Sequence, residues 1–405
     1  MIRTCVILMA TILIIAVSGF NVANGQKKGF DSAELQLPGA RAVIEAWRYP
    51  TIQTAIDALP DEGGLVRLPP GTFEITEPLV VNKSDVLIQG AGTATHIKNV
   101  NTDGKSALIL QHPDGGDNRE AELWRIQLAD FRITGNEKSG HGIDARRINE
   151  VFIDGATVSY HGGEGIRLYF CYEDPRICNS LITYNKKTGL NAIGCHDTIV
   201  SANQFEENYD ALRFIDGFNL CMTGNNLDDH LGDGVVIENT YGSVVSGNMI
   251  EECNGTAIVL DRDCYGITLS ANVIAHEQTG GIALRDAHGC AVSANTFTIM
   301  GKDALYIGPA SGRITVTGNN FSNSYIGEGK VKRGTNDLAA AGIVLNGTSD
   351  IAVTGNLFSG LRPKALSLEG QTSKRVLFTD NVFVDTAGDQ KKLKESVVKD
   401  NLEDE

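Results

Sequence analysis

Acids and arginines recur in this chain at intervals of 22 to 24 residues, so any repeating element lines them up. Asp144, Arg167, Asn191 and Arg213 are separated by 23, 24 and 22 residues. A parallel series two residues further on contains Arg146, Tyr169, Glu238, Asp261 and Arg285. A third precedes both and contains Glu164, Asp210, Asp233 and Asp303. Turn positions add Asp174, His196, Asp216, Arg262, Asp263, Asp286 and His288. Two carboxyl groups can share acid and base duty in hydrolysis of an acetal. An arginine can bind a substrate carboxylate, or act as base, while a neighbouring proton is removed. On this basis Asp210 and Asp233 are the expected acid/base pair. Arg213 is the expected carboxylate binder or lyase-type base, and His196 a further proton-transfer candidate. Arg146, Arg167, Tyr169, Asp174 and Arg285 are the expected substrate-binding set. Glu238, Asp261 and Asp263 repel one another unless a cation joins them, which points to Ca²⁺ or a cationic partner.

The element that would position these residues is itself repeated. From about residue 142 a unit of some two dozen residues recurs, each marked by an asparagine: Asn179, Asn203, Asn225, Asn248, Asn272, Asn295, Asn319, Asn356 and Asn381. The steps are 24, 22, 23, 24, 23, 24, 37 and 25 residues. Alternating apolar residues precede each asparagine, and a short strand opening with Gly or Ala follows, as in Gly234-Val-Val-Ile237. Such a unit has no room for a ten-residue helix and is too short for a propeller blade. A parallel β-helix remains, with coils about 4.8 Å apart. The asparagines then read as an internal ladder that satisfies buried backbone groups.

Residues Thr51 to Leu59 read as a short helix with Ile52, Ala55, Ile56 and Leu59 on one face. The block Tyr49-Pro-Thr-Ile-Gln-Thr-Ala-Ile-Asp-Ala-Leu59, followed by Gly64-Leu-Val-Arg-Leu-Pro-Pro-Gly-Thr-Phe73 and Val86-Leu-Ile-Gln-Gly-Ala-Gly92, resembles the N-terminal cap of the pectate-lyase-like superfamily. The repeats resemble its coils. The resemblance implies an all-β, right-handed parallel β-helix solenoid with a short N-terminal helical cap. For reaction it leaves lyases, glycoside hydrolases, epimerases and non-catalytic proteins open. Asn208-Tyr-Asp210, with Gly232-Asp233 one coil later, resembles the paired-carboxylate pattern of polygalacturonase-type hydrolases. Gly232 stands where that family has its first Asp of a doublet. Tyr172-Glu-Asp174-Pro-Arg176 resembles a segment of alginate epimerases, with Arg176 in place of a histidine.

Four segments are expected: 1–25 a secretory signal, 26–44 a linker, 45–385 the β-helix, and 386–405 a charged helical cap or frayed tail. The signal reading rests on Arg3, the apolar run Val6 to Val17 and small residues Ala23 and Gly25 before a cut. No later apolar stretch reaches the length of a membrane span. Removing 1–25 takes one of 35 Lys and Arg and leaves 50 acids, so 34 − 50 = −16. That charge argues against nucleic acid as a partner. Seven cysteines remain, of which Cys171 and Cys178 are the expected disulfide. The 37-residue step contains an insertion, about 325–340, made basic by Lys330, Lys332 and Arg333. The expectation is an exported or periplasmic protein, lyase-like or hydrolase-like on a polysaccharide containing uronate. The alternative is a non-catalytic carbohydrate-binding or surface-structural β-helix.

Overall fold

The computed structural model describes residues 37–115, 118, 120–322, 341–387 and 393–403. Contacts divide the chain into residues 1–40 and 41–405. Of the first unit, residues 37–40 form a turn closed by Ala40 N–H on the Leu37 carbonyl (2.8 Å). The second unit is a solenoid of short strands in three sheets of 12, 17 and 14 strands, and each described pairing is parallel.

One coil shows the plan. Val235–Glu238 lies in the 12-stranded front sheet, Val244–Ser246 in the 17-stranded sheet and Met249–Glu251 in the 14-stranded sheet. The next coil returns to the front at Thr256–Asp261, pairing Val236 with Val259. Strands this short are set by their corners. Asn239, Gly247 and Glu252 adopt the left-handed conformation at the three corners of this coil. Inward residues such as Ile237, Val245 and Ile250 are fully buried. Gly234 opens its front strand at a tight corner: a Cβ there would lie 2.5 Å from the Ala257 carbonyl oxygen.

The asparagine ladder runs inside one corner. Asn272 donates both its backbone N–H and Nδ2 to Oδ1 of Asn295 (3.0 Å each), and Nδ2 also to the Val245 carbonyl (3.0 Å). The pattern repeats from Asn203 to Asn381 and crosses the long step intact, with Asn319 Nδ2 on Asn356 Oδ1 at 3.0 Å. Beside it Phe297, Phe321 and Phe358 stack at 4.8 and 4.9 Å. A second interior column carries His161, Asn185, Asn208, His230, Cys253 and Glu277 in successive coils, all buried. Burial pushes the His161 and His230 imidazoles down to about 4 and the Glu277 carboxyl well up.

The helix forms at Ile52–Asp57, with the Thr51 hydroxyl accepting from Thr54 N–H (3.1 Å) and Ile52, Ala55 and Ile56 buried. Four expectations need correction. Asn179 is not in the ladder; Ser180 holds that position and takes Asn203 Oδ1 on its N–H, while Asn179 turns the corner at φ 53 and binds Asp154 outside. The first strand, Ala42–Glu45, begins within the expected linker and pairs with Gly64–Arg67. The charged C-terminal stretch forms strands Val397–Lys399 and Leu402–Glu403, because Asn401 extends the ladder from Asn381. Cys171 and Cys178 are both free: Cys171 is buried inside, while the Cys178 sulfur meets Ser201 Oγ at 3.3 Å. The basic insertion at 325–340 lies outside the described residues.

Asn272→Leu is expected to lower unfolding free energy by about 1–3 kcal/mol in chemical denaturation, by stranding backbone groups of both neighbouring coils. His230→Asn tests the second column. A histidine held near 4 stays neutral in the fold, while its unfolded counterpart protonates near 6.5, so its presence costs stability as pH falls between those values. Relative to wild type, the variant should therefore gain on the order of 3 kcal/mol from pH 7 to pH 4. A pH-independent difference would show that His230 titrates alike in both states.

Candidate functional site

Register turns the repeat into outward columns on the front sheet. Asp144 pairs with Arg167, Arg167 with Asn191, Asn191 with Arg213, Arg213 with Val236, Val236 with Val259, Val259 with Ala283, and Ala283 with Tyr306. The neighbouring column runs through Arg146, Tyr169, Ile193, Ile215, Glu238 and Asp261. The charged part of this face is largely paired with itself. Asp144 is fully buried; its Oδ2 accepts from Arg146 (2.6 Å) and faces Arg167 at 3.7 Å. Arg167 also lies 5.2 Å over the Tyr169 ring. Arg213 bridges Asp210 (3.1 Å) and Glu238 (3.0 Å). Arg262 bridges Glu238 (2.8 Å) and Asp216 (3.2 Å), and Arg285 faces Asp261 at 3.7 Å.

This pairing changes how the candidates read. Both oxygens of Glu238 are held by arginine, Asp261 faces Arg285, and the Asp263 N–H donates to Asp286. Two of the three expected Ca²⁺ ligands, Glu238 and Asp261, thus face arginines of the chain. Asp210 Oδ1 accepts from Asp233 N–H (2.8 Å), and Asp233 Oδ1 from Thr256 N–H (2.7 Å), so each carboxylate caps the strand of the next coil. Burial nonetheless pushes the Asp210 carboxyl up, against the Asp233 N–H and the Arg213 guanidinium. Glu164 is pushed up in the same way, with Asn191 Nδ2 on its Oε1 at 3.3 Å. His196 stands at the corner beyond the front sheet, 3.6 Å from the Phe218 ring and 4.4 Å from Tyr172, with its imidazole pushed down by burial. Asp174 is an exposed turn residue at φ 60.

A groove of about 620 Å³ opens further along the same sheet, lined by Asp233, Arg285, Lys302, Asp303 and Tyr306 over Ile282, Ala283 and Pro309. It lies where the outward column shrinks to Val236, Val259 and Ala283, a small apolar cluster against which Tyr306 packs. Asp303 is buried, which pushes its carboxyl up against the opposing pull of Lys302 at 3.8 Å. Tyr306 Oη accepts from Asn346 Nδ2 (3.0 Å). A Cβ on Gly370 would collide with Asn346 Oδ1, so that glycine leaves the amide its place. Of the expected site residues, Asp233 and Arg285 line this groove. The columns already contained Asp303 and Tyr306, but acid and arginine density pointed upstream of them.

Solved structures similar to this one share its architecture. The periplasmic alginate epimerase AlgG superposes with a TM-score of 0.60 at 13% identity, over 84% of each chain. The A-module of mannuronan C-5 epimerase AlgE6 from Azotobacter vinelandii gives 0.51 at 16% identity, over 89% of this chain and 99% of its own. The chain is a right-handed parallel β-helix repeat protein. The β-helix also matches tailspike protein 3 of bacteriophage CBA120, at a TM-score of 0.55 and 13% identity over 82% of the chain. It spans only 56% of that tailspike's length and 63% of that of ORF18 of Geobacillus virus E2. Residues 188–338 match the family described as periplasmic copper-binding protein (NosD). No curated protein matches the sequence.

Copper does not fit the donors at hand. Among the described residues, the one group of three His, Cys, Asp or Glu donors within 4.8 Å of one another is Asp228, Asp229 and Glu252. These are oxygen ligands, whereas copper sites favour imidazole and sulfur. In this β-helix the thiols of Cys253, Cys264 and Cys290 are buried on backbone carbonyls. Glu238→Gln is expected to lower stability by no more than about 1 kcal/mol, because the two guanidinium groups that lose their partner are partly exposed. Chelator should leave the wild-type melting temperature unchanged if arginine alone balances Glu238; a drop that Glu238→Gln abolishes would restore the Ca²⁺ reading.

Proposed function

We propose that this β-helix acts outside the cytoplasm on an acidic or neutral polysaccharide laid along the front sheet, with lyase-like or hydrolase-like chemistry in the groove. The observation that carries the proposal is a single cleft of the front sheet lined by two carboxyl groups, a phenol and two cations. The fold is shared with proteins named as epimerases of alginate and mannuronan. An extracytoplasmic setting accords with the leader-like residues 1–25 and with the description of the family matched by residues 188–338.

In a hydrolysis, Asp303, whose carboxyl burial pushes up, serves as the acid, while Asp233, three coils away, contacts substrate further along the groove. In an elimination, Arg285 and Lys302 hold the uronate carboxylate while Tyr306 Oη takes the C5 proton as the C4–O bond breaks and the departing oxygen gains a proton from water. Asn346 fixes the phenol for that task. The runner-up is a binding-only β-helix, favoured by the commitment of Asp210, Arg213 and Asp233 to bonds within the fold.

The test is a panel of polysaccharides followed by absorbance of unsaturated ends and by release of reducing sugar. On the best substrate, Tyr306→Phe is expected to slow a lyase, and Asp303→Asn a hydrolase, by about 10²–10⁴-fold in kcat. Full activity in both variants would place the chemistry elsewhere. Binding without turnover would leave the binding-only reading.

A further inference from the structure

The corner that follows each front strand carries a row of rings that the groove chemistry does not use. Tyr172, His196, Phe218, Tyr241, Tyr265 and His288 occupy equivalent positions in six successive coils, tied by parallel bridges from His196 through Phe218 and Tyr241 to Tyr265 and by pairing of Tyr265 with His288. At the coil spacing the row is roughly 24 Å long. The rings are splayed rather than flush: 44° between Tyr172 and His196, 32° between His196 and Phe218, and 17° between Phe218 and Tyr241. Tyr241 and Tyr265 are 53% and 54% exposed. Ile193 and Ile215 follow Tyr169 in the adjacent front-sheet column and face outward, so the row has an aliphatic flank on the side of the groove. A partly exposed apolar strip of this length on an acidic protein is the kind of surface that marks a binding site.

The polar groups along the row narrow the ligand. Glu173, Asp174, Asp197 and Asp216 lie one or two residues from the rings. Asp197 and Glu173 are close enough to act on the His196 imidazole. Of the nearby cations, Arg147 lies over Phe170 beside Tyr172, and Arg262 is already bound by Glu238 and Asp216. Carboxylates accept hydrogen bonds from hydroxyls and repel other carboxylates. Pyranose rings offer apolar faces of CH groups and an equatorial rim of hydroxyls, which suits rings bordered by acceptors.

We infer that this aromatic row is a distal binding platform for a neutral stretch of glycan chain running parallel to the solenoid axis beside the groove. The inference rests on the polysaccharide reading above and deepens it. It makes the ligand a long chain, and uncharged where it crosses the row, whatever the groove does to it.

The test measures affinity by calorimetry for manno-, cello- and laminari-oligosaccharides of about two to about eight units, together with oligomannuronates and oligogalacturonates, a range chosen to cover the row's length. At least one neutral series should gain about tenfold or more in affinity as it lengthens. Tyr241→Ala and Tyr265→Ala, both at exposed rings, should flatten that gain while leaving the melting temperature close to wild type. The uronate series should show no such gain. The platform is overturned if no neutral series gains with length, if the gain survives both substitutions, or if uronates gain as strongly. Failure of the groove chemistry is read separately, from Tyr306→Phe on turnover; length-dependent binding that Tyr241→Ala abolishes supports the platform even where nothing is turned over.

Discussion

The structure depends on one repeated bond: the backbone N–H and Nδ2 of each ladder asparagine shared on Oδ1 of the next. A coil of three short strands must turn three times, and a turn buried in a stack leaves donors facing no strand. An unpaired buried amide costs more than a normal hydrogen bond gains. The asparagine amide removes that cost with a group the size of a peptide and does so at the coil spacing. With that corner fixed, the register of the three sheets follows. The long step between Asn319 and Asn356 shows the hierarchy, because the ladder bond keeps its length of 3.0 Å across it.

Because the interior sets the register, the outside is free to vary. Each outward position on the front sheet repeats every coil whatever its chemistry, and unlike charges placed one coil apart pair readily. Arg213, Glu238 and Arg262 make such a chain across successive coils. These partly exposed pairs stabilise little individually. Their consequence is spatial: long side chains that reach for one another fill the face and close it. The groove opens where the same column turns to Val236, Val259 and Ala283, with nothing to reach out.

That contrast explains what could be read from the sequence. The 22- to 24-residue step was enough to establish the β-helix, its columns and the inward asparagines, because period is a property of the chain alone. It misplaced Asn179, since a left-handed corner accepts asparagine as readily as the ladder does and only the bond from Ser180 N–H to Asn203 tells the two apart. It ended the solenoid too early, since charge in the last twenty residues outweighed a single Asn401. For the site, density of acids and arginines drew attention to Asp210, Arg213 and Glu238, and density is the signature of pairing. Asp303 and Tyr306 stood in the right columns but beside small neutral residues. A cavity depends on what is missing around a residue, which no single residue type announces.

The second interior column answers a problem that the ladder creates. A run of identical asparagines stabilises every alignment of coils equally, so a folding chain could close with one coil skipped and keep most of its ladder bonds. His161, Asn185, Asn208, His230, Cys253 and Glu277 are not interchangeable. Asn185 gives its N–H and Nδ2 to Asn208 (3.1 and 2.8 Å), and the Asn208 carbonyl meets His230 Nδ1 (3.4 Å). A skipped coil would set a histidine or a buried acid against an amide with no matching partner. Burial that drives His230 down costs stability as pH falls below about 6.5, and burial that drives Glu277 up costs it as pH rises above the ordinary carboxyl range. The bonds from Asn185 to Asn208 and between Asn208 and His230 form in one alignment and favour it over its neighbours, which is a use of buried polar groups that a uniform ladder cannot supply.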